Sequence, residues 1–304
     1  MAGREETILN RIQVRVAIPK SSEVIVGIGD DCAVLRPRGA KEDLLFTTDQ
    51  LLEDVHFRRE THSAPDAGHK ALARGLSDIA AMGGTPKFCL VSLATPEWAD
   101  ARWISGFYRG LLRLAGQTGT VLAGGDLARS ARLSCDIVVC GGVPRGLALL
   151  RSGARAGDFI YVSGRLGGSA LGFETQAGRA RRVHLRPSPR LALGQFLRER
   201  LHATAAMDLS DGISLDLRRM AIASHLAAEI EAPPIFRGAS LEQALHGGED
   251  YELLFTVPPG APVPVRHQGI PLTKIGVMRR GTAGAVFLNA RRLAPLGYDH
   301  FRQS

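Results

Sequence analysis

Short apolar runs alternate with longer amphipathic segments throughout this chain. In its first half, β-branched and apolar stretches predict strands at 24–28, 44–48, 88–93, 120–123 and 136–139. Helical periodicity predicts helices at 68–82 and 103–116, the first of which is expected to stop at Gly83 and Gly84, with Pro86 close behind. This alternation of strands and helices predicts an α/β fold.

A turn-rich connection at 141–146 interrupts the pattern. After it, strands are predicted at 159–163, 252–257, 272–277 and 286–289, and helices at 168–176, 189–201 and 214–228. Because the α/β alternation resumes beyond the connection, we expect two domains, 1–146 and 147–304.

Composition favours a soluble globular protein, since 45% of the 304 residues are hydrophobic and 22% are charged. Segment 1–20 carries charges throughout, and no apolar run approaches the roughly 20 residues of a membrane span. We therefore expect a cytoplasmic protein with no membrane partner. The four cysteines form no Cys-x-x-Cys pair and lie in apolar, strand-like segments, which predicts buried reduced thiols.

The formal charge of +8 raises the question of a polyanionic partner. Much of the excess lies at 179–190, where no aromatic side chain could stack on a base and no nucleic-acid-binding motif is present. We expect a solvated, arginine-rich surface loop and no nucleic-acid partner. Attraction of ATP-like anions is the alternative.

Aspartates recur beside glycine, serine or threonine in both halves of the chain: Asp30, Asp31, Asp49, Asp78, Asp126, Asp208 and Asp211. If they converge, each close pair would repel by roughly 4 kcal/mol at an effective dielectric of about 20. Mg²⁺ would relieve that repulsion, because it binds oxygen ligands and is usually shared with substrate phosphates. The pattern therefore predicts a metal-dependent phosphoryl-transfer enzyme.

Each aspartate motif also has a purely structural interpretation. Glycine and aspartate favour turns, Asp49 could cap a helix or a turn, and Ser210 or Asp211 could cap the helix near 214. Asp78 is harder to explain, because negative charge in the last turn of a helix costs about 0.3–1 kcal/mol. Asp208 is left over once a cap has been assigned.

Familiar nucleotide-binding motifs are absent from the sequence. It contains no G-x-x-x-x-G-K-[ST], and Gly27-Ile-Gly29 lacks the third glycine of the dinucleotide fingerprint. The protein kinase motifs are also absent. Any ATP must therefore be held by another scaffold.

An ordered series of segments resembles the thiamine-monophosphate kinases, a family in the superfamily that includes aminoimidazole ribonucleotide synthetase. The matching segments are 27–35, 47–57, 70–86, 124–126, 151–158, 184–190, 207–217, 247–256 and 297–301. Asp-Val-His-Phe at 54–57 and Gly-Gly-Glu-Asp-Tyr-Glu-Leu at 247–253 point to the thiamine enzymes rather than their purine relatives. No Cys-Lys motif precedes Gly27, which disfavours selenophosphate synthetase.

The resemblance implies two α/β domains of the synthetase type, with mixed sheets packed against helices. It implies that the N-terminal halves pair in a homodimer and that the C-terminal domain closes over the nucleotide. It also implies ATP as donor, thiamine monophosphate as acceptor, thiamine diphosphate as product and several Mg²⁺ ions. The acceptor is then an anionic phosphate oxygen, so no general base is expected.

Residue roles follow from the same resemblance. The implied metal ligands are Asp30, Asp31, Thr47, Thr48, Asp49, Asp78, Asp126, Asp208 and Asp211. The implied ATP contacts are Gly125, Arg151 and Ser210, and the implied substrate contacts are His56 and Glu249. Pro295 stands where the family often has an aromatic residue, so Tyr298 or Phe301 could take that role, and Asp54 stands where glycine is common.

Two other functions stay open at this point. One is an ATP-dependent phosphoryl transfer by another member of the same superfamily to a different acceptor. The other is a basic nucleic-acid-binding protein, which would explain the arginines but leave the aspartates without a purpose.

Overall fold

The structure is a computed structural model that describes residues 4–16, 18–19, 21–231 and 233–301. The helices are α1 (Arg4–Gln13), α2 (Ala64–Ala81), α3 (Ala101–Thr118), α4 (Gly168–Thr175), α5 (Gly178–Leu185), α6 (Leu191–Phe196), α7 (Ile213–Ala223) and α8 (Leu241–His246). The strands of the first half are β1 (Val24–Val26), β2 (Ala33–Leu35), β3 (Glu42–Leu52), β4 (Thr85–Thr95), β5 (Val121–Arg129) and β6 (Ser134–Pro144). Those of the second half are β7 (Phe159–Ser163), β8 (Ala205–Asp208), β9 (Ala227–Ile230), β10 (Leu253–Val257), β11 (Arg266–His267), β12 (Ile270–Arg279), β13 (Val286–Leu288) and β14 (Arg291–Arg292).

The first six strands form one mixed sheet in the order β1-β2-β3-β6-β4-β5. Only the β4–β5 pair in it is parallel. Helices α2 and α3 supply Leu72, Leu76 and Phe107 to a buried core that also holds Val91 and Val139 from the strands. Alternate strand residues point to opposite faces, so the sheet has one face buried under these helices and one face left open.

Helices α2 and α3 approach each other closely through glycine. A Cβ atom on Gly68 would lie 1.9 Å from the Phe107 carbonyl oxygen, and one on Gly110 would lie 1.9 Å from that of Pro65. Since no side chain fits at either position, glycine lets the two backbones come into contact. This contact fixes α2, which carries several candidate functional residues.

The remaining strands form a second mixed sheet in the order β14-β13-β9-β12-β7-β10-β8, with β11 paired to β12. Leu217 and Met220 of α7 pack on it together with Val162 and Ile275. A third apolar cluster joins the two halves, because Ala80 and Ala81 of α2 pack against residues such as Leu197 and Phe255. The mixed sheets packed with helices confirm the predicted fold class, while the domain division at 146/147 stays a prediction.

Most predicted elements are present, but several ends were wrong. Residues 47–49 do not end a strand, because β3 continues to Leu52. Residues 124–126 lie inside β5 rather than in a turn after it, and Gly141–Gly142 lie inside β6. The predicted helix at 214–228 ends at Ala223 and is followed by β9.

The arginine-rich segment is not a loop, since residues 178–185 form α5. Arg179, Arg181 and Arg182 are exposed as expected, but the Arg186 guanidinium is ion-paired with Asp66 and that of Arg190 with Glu252. These two pairs give arginines of the segment structural partners within the chain, which weakens the case for a nucleic-acid site.

Two simpler expectations concern the cysteines and the membrane. All four cysteines are free and buried, as predicted. Among the residues that the structure describes, none of the helices combines the length and the apolar character that crossing a bilayer requires.

Candidate active site

A cavity of about 680 Å³ opens between the two halves of the molecule. Its walls include Asp49, His56, Arg74 and Asp78 from the first half. From the second half they include Asp208, Ser210, Asp211, Glu249, Tyr251 and Tyr298. A concave, largely preformed space of this volume suits a small-molecule ligand.

Three carboxylates converge beside this cavity. Oxygen atoms of Asp31, Asp78 and Asp208 all lie within 4.8 Å of one another. Asp31 follows β1, Asp78 lies in the last turn of α2, and Asp208 is the final residue of β8. The convergence that the sequence predicted is thus present for three aspartates from three separate segments and from both halves.

Hydrogen bonds hold each carboxylate of this cluster in place. The Thr47 hydroxyl donates to Asp78, and the Ser77 hydroxyl donates to Oδ2 of Asp208 at 2.7 Å. The Arg151 guanidinium is ion-paired with Asp31, while the Arg151 backbone N–H donates to Oδ2 of Asp30 at 3.1 Å. Arg151, a predicted ATP contact, therefore binds the carboxylates directly in this structure.

The electrostatics of the cluster favour a bound cation. Burial, reinforced by neighbouring aspartates, raises the pKa of both Asp78 and Asp208 well above the ordinary value. Burial and the charge of Asp31 also raise the pKa of Asp30, to about 7. Oδ2 of Asp31 is buried without a hydrogen-bond partner among the described residues. An all-oxygen set of close carboxylates with an unpartnered buried oxygen fits Mg²⁺.

Asp49 and Asp211 line the same cavity, each beside an arginine. Oδ1 of Asp49 accepts a hydrogen bond from Nη2 of Arg74 at 3.3 Å, and Asp211 is ion-paired with Arg219. The residue that caps α7 is Gly212, without a side-chain hydrogen bond. The capping role considered for Ser210 or Asp211 was therefore wrong, although both residues line the cavity.

Thr48, Gly125 and Asp126 are not brought into this cluster. Thr48 lies between Thr47 and Asp49 on β3, so its exposed side chain projects from the opposite, open face of the sheet. Asp126 shares a cross-strand row with Gln50 and therefore lies on that open face as well. The ligand roles of Thr48 and Asp126 stay predictions.

The glycine at 125 has a structural cause of its own. A Cβ atom there would lie 1.9 Å from the Val91 carbonyl oxygen, and the backbone φ is +154°. Close pairing of β5 with β4 therefore already requires glycine at this position. Its predicted ATP contact stays a prediction.

The other end of the cavity holds His56 and Glu249, the predicted substrate contacts. Nδ1 of His56 accepts the Leu52 backbone N–H at 3.0 Å, and burial lowers the pKa of His56 to about 2, so the ring is neutral. Glu249 has a left-handed backbone with φ of +63°, and its N–H donates to the Ser210 carbonyl oxygen at 2.7 Å. Its carboxylate is thereby fixed close to the predicted ATP-binding residue Ser210.

Lys70 joins the two predicted substrate residues. Its side chain is 0% exposed, and Nζ donates to the His56 carbonyl oxygen at 2.8 Å and to Oε2 of Glu249 at 2.8 Å. A fully buried lysine is rare unless it is paired. The sequence interpretation assigned no role to Lys70 or to Arg74.

A signal for these two residues existed in the sequence. Asp66, Lys70, Arg74 and Asp78 follow one another at intervals of four residues, which places four charged side chains on one face of α2. Each of them contacts a residue outside α2. A charged stripe on an otherwise apolar helix is a feature that periodicity alone reveals.

Aromatic side chains near the end of the described chain line the cavity opposite Glu249. The rings of Tyr298 and His300 are 4.8 Å apart at their centroids, and those of His300 and His56 are 5.3 Å apart. Of the two candidates to replace an aromatic residue at Pro295, Tyr298 lines the cavity, whereas Phe301 is not among its lining residues.

Comparison with known proteins gives the same relatives by sequence and by structure. Residues 29–148 match the family model described as AIR synthase related protein, N-terminal domain. The chain is 40% identical to the thiamine-monophosphate kinase of Escherichia coli K12, over 99% of both chains. It is similar to the solved structure of AaThiL complexed with AMPPCP and TMP, with a TM-score of 0.85, 31% identity and coverage of 98% and 97%. The thiamine-monophosphate kinase structure from Stenotrophomonas maltophilia K279a has a TM-score of 0.77, 37% identity and coverage of 97% and 99%.

Proposed function

The chain belongs to the thiamine-monophosphate kinase family, and we propose that it transfers the γ-phosphoryl group of ATP directly to the phosphate of thiamine monophosphate. One observation carries the proposal: carboxylates from both halves of the chain converge at a cavity large enough for small-molecule substrates. The products are thiamine diphosphate and ADP.

In the proposed reaction, an oxygen of the acceptor phosphate forms a bond to the γ-phosphorus while the bond from that phosphorus to the β,γ-bridging oxygen breaks. ADP departs with that electron pair. The attacking oxygen is already anionic, so no base has to remove a proton. The protein has to hold two phosphate groups in line despite their mutual repulsion. It does so by positioning them and by stabilising their negative charge.

Mg²⁺, when bound, neutralises negative charge on the phosphate oxygens. We assign its binding to Asp31, Asp78 and Asp208 and to their neighbours Asp30, Thr47, Asp49 and Asp211, because these residues cluster at or beside the cavity. Thr48 and Asp126 keep their predicted roles from the family resemblance alone. Thr47 and Ser77 orient the carboxylates through their hydroxyl donors.

We place thiamine monophosphate at the end of the cavity formed by His56, Glu249 and Tyr298, and ATP towards Ser210 and the segment at Arg151. Neutral His56 can contact the acceptor without adding charge, and Glu249 is held rigidly by Lys70. This arrangement would bring the two phosphate groups together beside the aspartate cluster.

A homodimer formed by the open face and edge of the first sheet completes the proposal. Val121 and Leu127 on the edge strand β5 are 60% and 58% exposed, and Leu90 on the adjacent strand is 38% exposed. Pairing of two copies there would cover apolar surface. We place the enzyme in the cytoplasm, where four free cysteines remain reduced.

The test measures ADP release from Mg²⁺-ATP with and without thiamine monophosphate, together with the formation of thiamine diphosphate. ADP release should require the acceptor and match the diphosphate formed in a 1:1 ratio, as direct transfer demands. Initial-rate kinetics should show a sequential pattern. ADP release at the same rate with and without thiamine monophosphate would contradict the proposal. A ping-pong pattern with a trapped phospho-residue would also contradict it.

A further inference from the structure

Arg74 lines the cavity between Asp49, assigned to Mg²⁺, and Glu249, assigned to the acceptor. Its Nη2 donates to Oδ1 of Asp49 at 3.3 Å, and its Nη1 lies 4.0 Å from Oε1 of Glu249. On α2 it lies one turn from Lys70 and one turn from Asp78. It is therefore adjacent both to the acceptor end and to the aspartate cluster.

The guanidinium of Arg74 has donors that this structure leaves unused. Its side chain is 12% exposed, and both Nε and Nη1 are buried without a hydrogen-bond partner among the described residues. Leaving a buried donor without an acceptor costs about 1–3 kcal/mol, and more when the group is charged. Two such donors on a residue that lines the cavity indicate a binding position for an acceptor-rich ligand group.

The charges that line the cavity indicate which kind of ligand group Arg74 would bind. Among the described residues that line it, Arg74 is the only arginine or lysine, and the neighbouring walls carry Asp49, Asp78, Asp208 and Glu249. Lys70 donates instead to His56 and Glu249. A guanidinium is permanently charged and donates strong hydrogen bonds to phosphate oxygens.

We propose that Arg74 binds the phosphate group of the acceptor through its unpartnered Nη1 and holds it between Glu249 and the aspartate cluster. The inference depends on the proposed function, since it concerns the acceptor of that reaction. Arg74 would supply the positive charge that draws a phosphate into an otherwise acidic cavity. It would thereby discriminate thiamine monophosphate from unphosphorylated thiamine.

The experiment compares the affinities of thiamine monophosphate and thiamine for the wild type, Arg74→Met and Arg74→Lys, by calorimetry in the presence of Mg²⁺. In Arg74→Met, the Kd of thiamine monophosphate should rise roughly 10- to 100-fold, the range for hydrogen bonds to charged groups. The Kd of thiamine should stay at the wild-type value. In Arg74→Lys, the Kd of thiamine monophosphate should lie between those of the wild type and Arg74→Met, because lysine keeps the charge but lacks the rigid guanidinium donors.

Steady-state kinetics provides a second readout on the same variants. The KM for thiamine monophosphate should rise while the KM for ATP stays at the wild-type value. Arg36→Met is the matched control, because Arg36 is also an ion-paired arginine, bound to Asp43 away from the cavity. It should lower stability without changing either affinity or either KM.

Two results would overturn the inference. One is an unchanged Kd for thiamine monophosphate in Arg74→Met, and the other is an equal loss of affinity for both ligands or both substrates, which marks a structural role. A wild-type protein that fails to bind or phosphorylate thiamine monophosphate would instead refute the proposed function. The two failures are therefore distinguishable.

Discussion

Asp78 illustrates, at the scale of single residues, how a functional group can oppose folding. It lies half-buried in the last turn of α2, where the helix dipole disfavours negative charge. Burial first, and then the charges of Asp49, Asp208 and Asp31, raise its pKa well above the ordinary value. A carboxylate retained under such conditions agrees with the proposed Mg²⁺ site, whereas the fold alone does not require it.

Asp78→Asn should therefore stabilise the metal-free protein while removing activity. Neutralising the side chain removes its repulsion from Asp208 and Asp31, and we expect the free energy of unfolding to rise by about 0.5–2 kcal/mol. Urea unfolding in the presence of a chelator measures the change, and ADP release measures the activity. The stabilisation of the wild type by Mg²⁺ should be smaller in the variant.

Asp43→Asn is the matched control for this experiment. The hydrogen bond from Arg36 lowers the pKa of Asp43, so its charged form is favoured in the folded protein. Its neutralisation should destabilise the protein with or without Mg²⁺. If Asp78→Asn also destabilised the metal-free protein, the carboxylate cluster would not be under the repulsion inferred here.

Glu249→Gln should raise the KM for thiamine monophosphate, roughly tenfold or more, while changing the KM for ATP much less. The substitution weakens the bond from Lys70 and removes the negative charge beside Arg74. Steady-state kinetics with each substrate varied in turn measures both constants. Glu242→Gln, on the exposed surface of α8, removes the same charge outside the cavity lining and should change neither. Equal effects of Glu249→Gln on both constants would contradict the assignment.

The sequence predicted the aspartates of the candidate site better than their basic partners. Asp78 and Asp208 stood out because no turn or cap needed them. Lys70 and Arg74 did not stand out in the same way, because a lysine or arginine on a helix is ordinarily explained by exposure to solvent. Their partners Glu249 and Asp49 are 179 and 25 residues away in sequence, so only the tertiary fold shows that these side chains meet.

At the scale of elements, the contact between α2 and α3 depends on two glycines, which have no side chain. Gly68 and Gly110 each lie against a carbonyl oxygen of the other helix. Through this contact, α3 holds the helix that carries Lys70, Arg74 and Asp78. A substitution at the contact should therefore disturb the site without touching it.

Gly110→Ala should destabilise the protein by about 1–3 kcal/mol, the usual cost of overpacking. Gly116→Ala is the control on the same helix, because nothing lies within 4 Å of the added Cβ atom there. It should stabilise by roughly 0.5–1 kcal/mol, because alanine has the higher helix propensity. Thermal or urea unfolding of both variants measures the difference. A neutral effect of Gly110→Ala would mean that the helices are not in backbone contact.

The limits of sequence interpretation at this scale follow from strand geometry. Thr47-Thr48-Asp49 was placed at a strand end because aspartate favours turns, yet the 11-residue β3 is paired with β6 along its whole length. Pairing overrides the local preference of Asp49, and strand alternation then separates Thr48 from its neighbours. Strand β9 was included in a predicted helix, because the run from Ala221 to Ala228 is rich in alanine and has only one β-branched residue, Ile222.

At the scale of the whole molecule, buried charge makes stability depend on pH in two opposing ways. Burial raises the pKa of Asp30, Asp216 and Asp250 to about 7. Burial lowers the pKa of His62 and His184 to about 3. The carboxyl groups favour the folded state while protonated, whereas the histidines favour it while neutral.

Between pH 6.5 and 8 the carboxyl groups should dominate the pH dependence of stability. Below about pH 7 they hold protons that the unfolded chain, with an aspartate pKa of 3.8, has already released. Their contribution to stability is therefore lost as the pH rises from 3.8 through 7, while deprotonation of the two histidines in the unfolded chain near pH 6.5 offsets part of that loss. We expect the metal-free protein to lose about 1–2 kcal/mol of unfolding free energy over this range.

Urea unfolding at a series of pH values in chelator measures this profile. Added Mg²⁺ should reduce the loss, because the ion favours the ionised form of the clustered carboxylates. A stability that rose steadily from pH 6.5 to 8 without metal would contradict the burial-driven shifts.

Asp208 belongs to the second sheet, whereas Asp31 and Asp78 belong to the first half of the chain. A divalent ion shared by the three would therefore add a second link between the two halves, which are already joined by the apolar cluster around Ala80 and Ala81. Calorimetric melting with magnesium should then give a single cooperative peak, and chelation should split or broaden it. The cation required for phosphoryl transfer would also determine whether the polypeptide melts as one unit or as two.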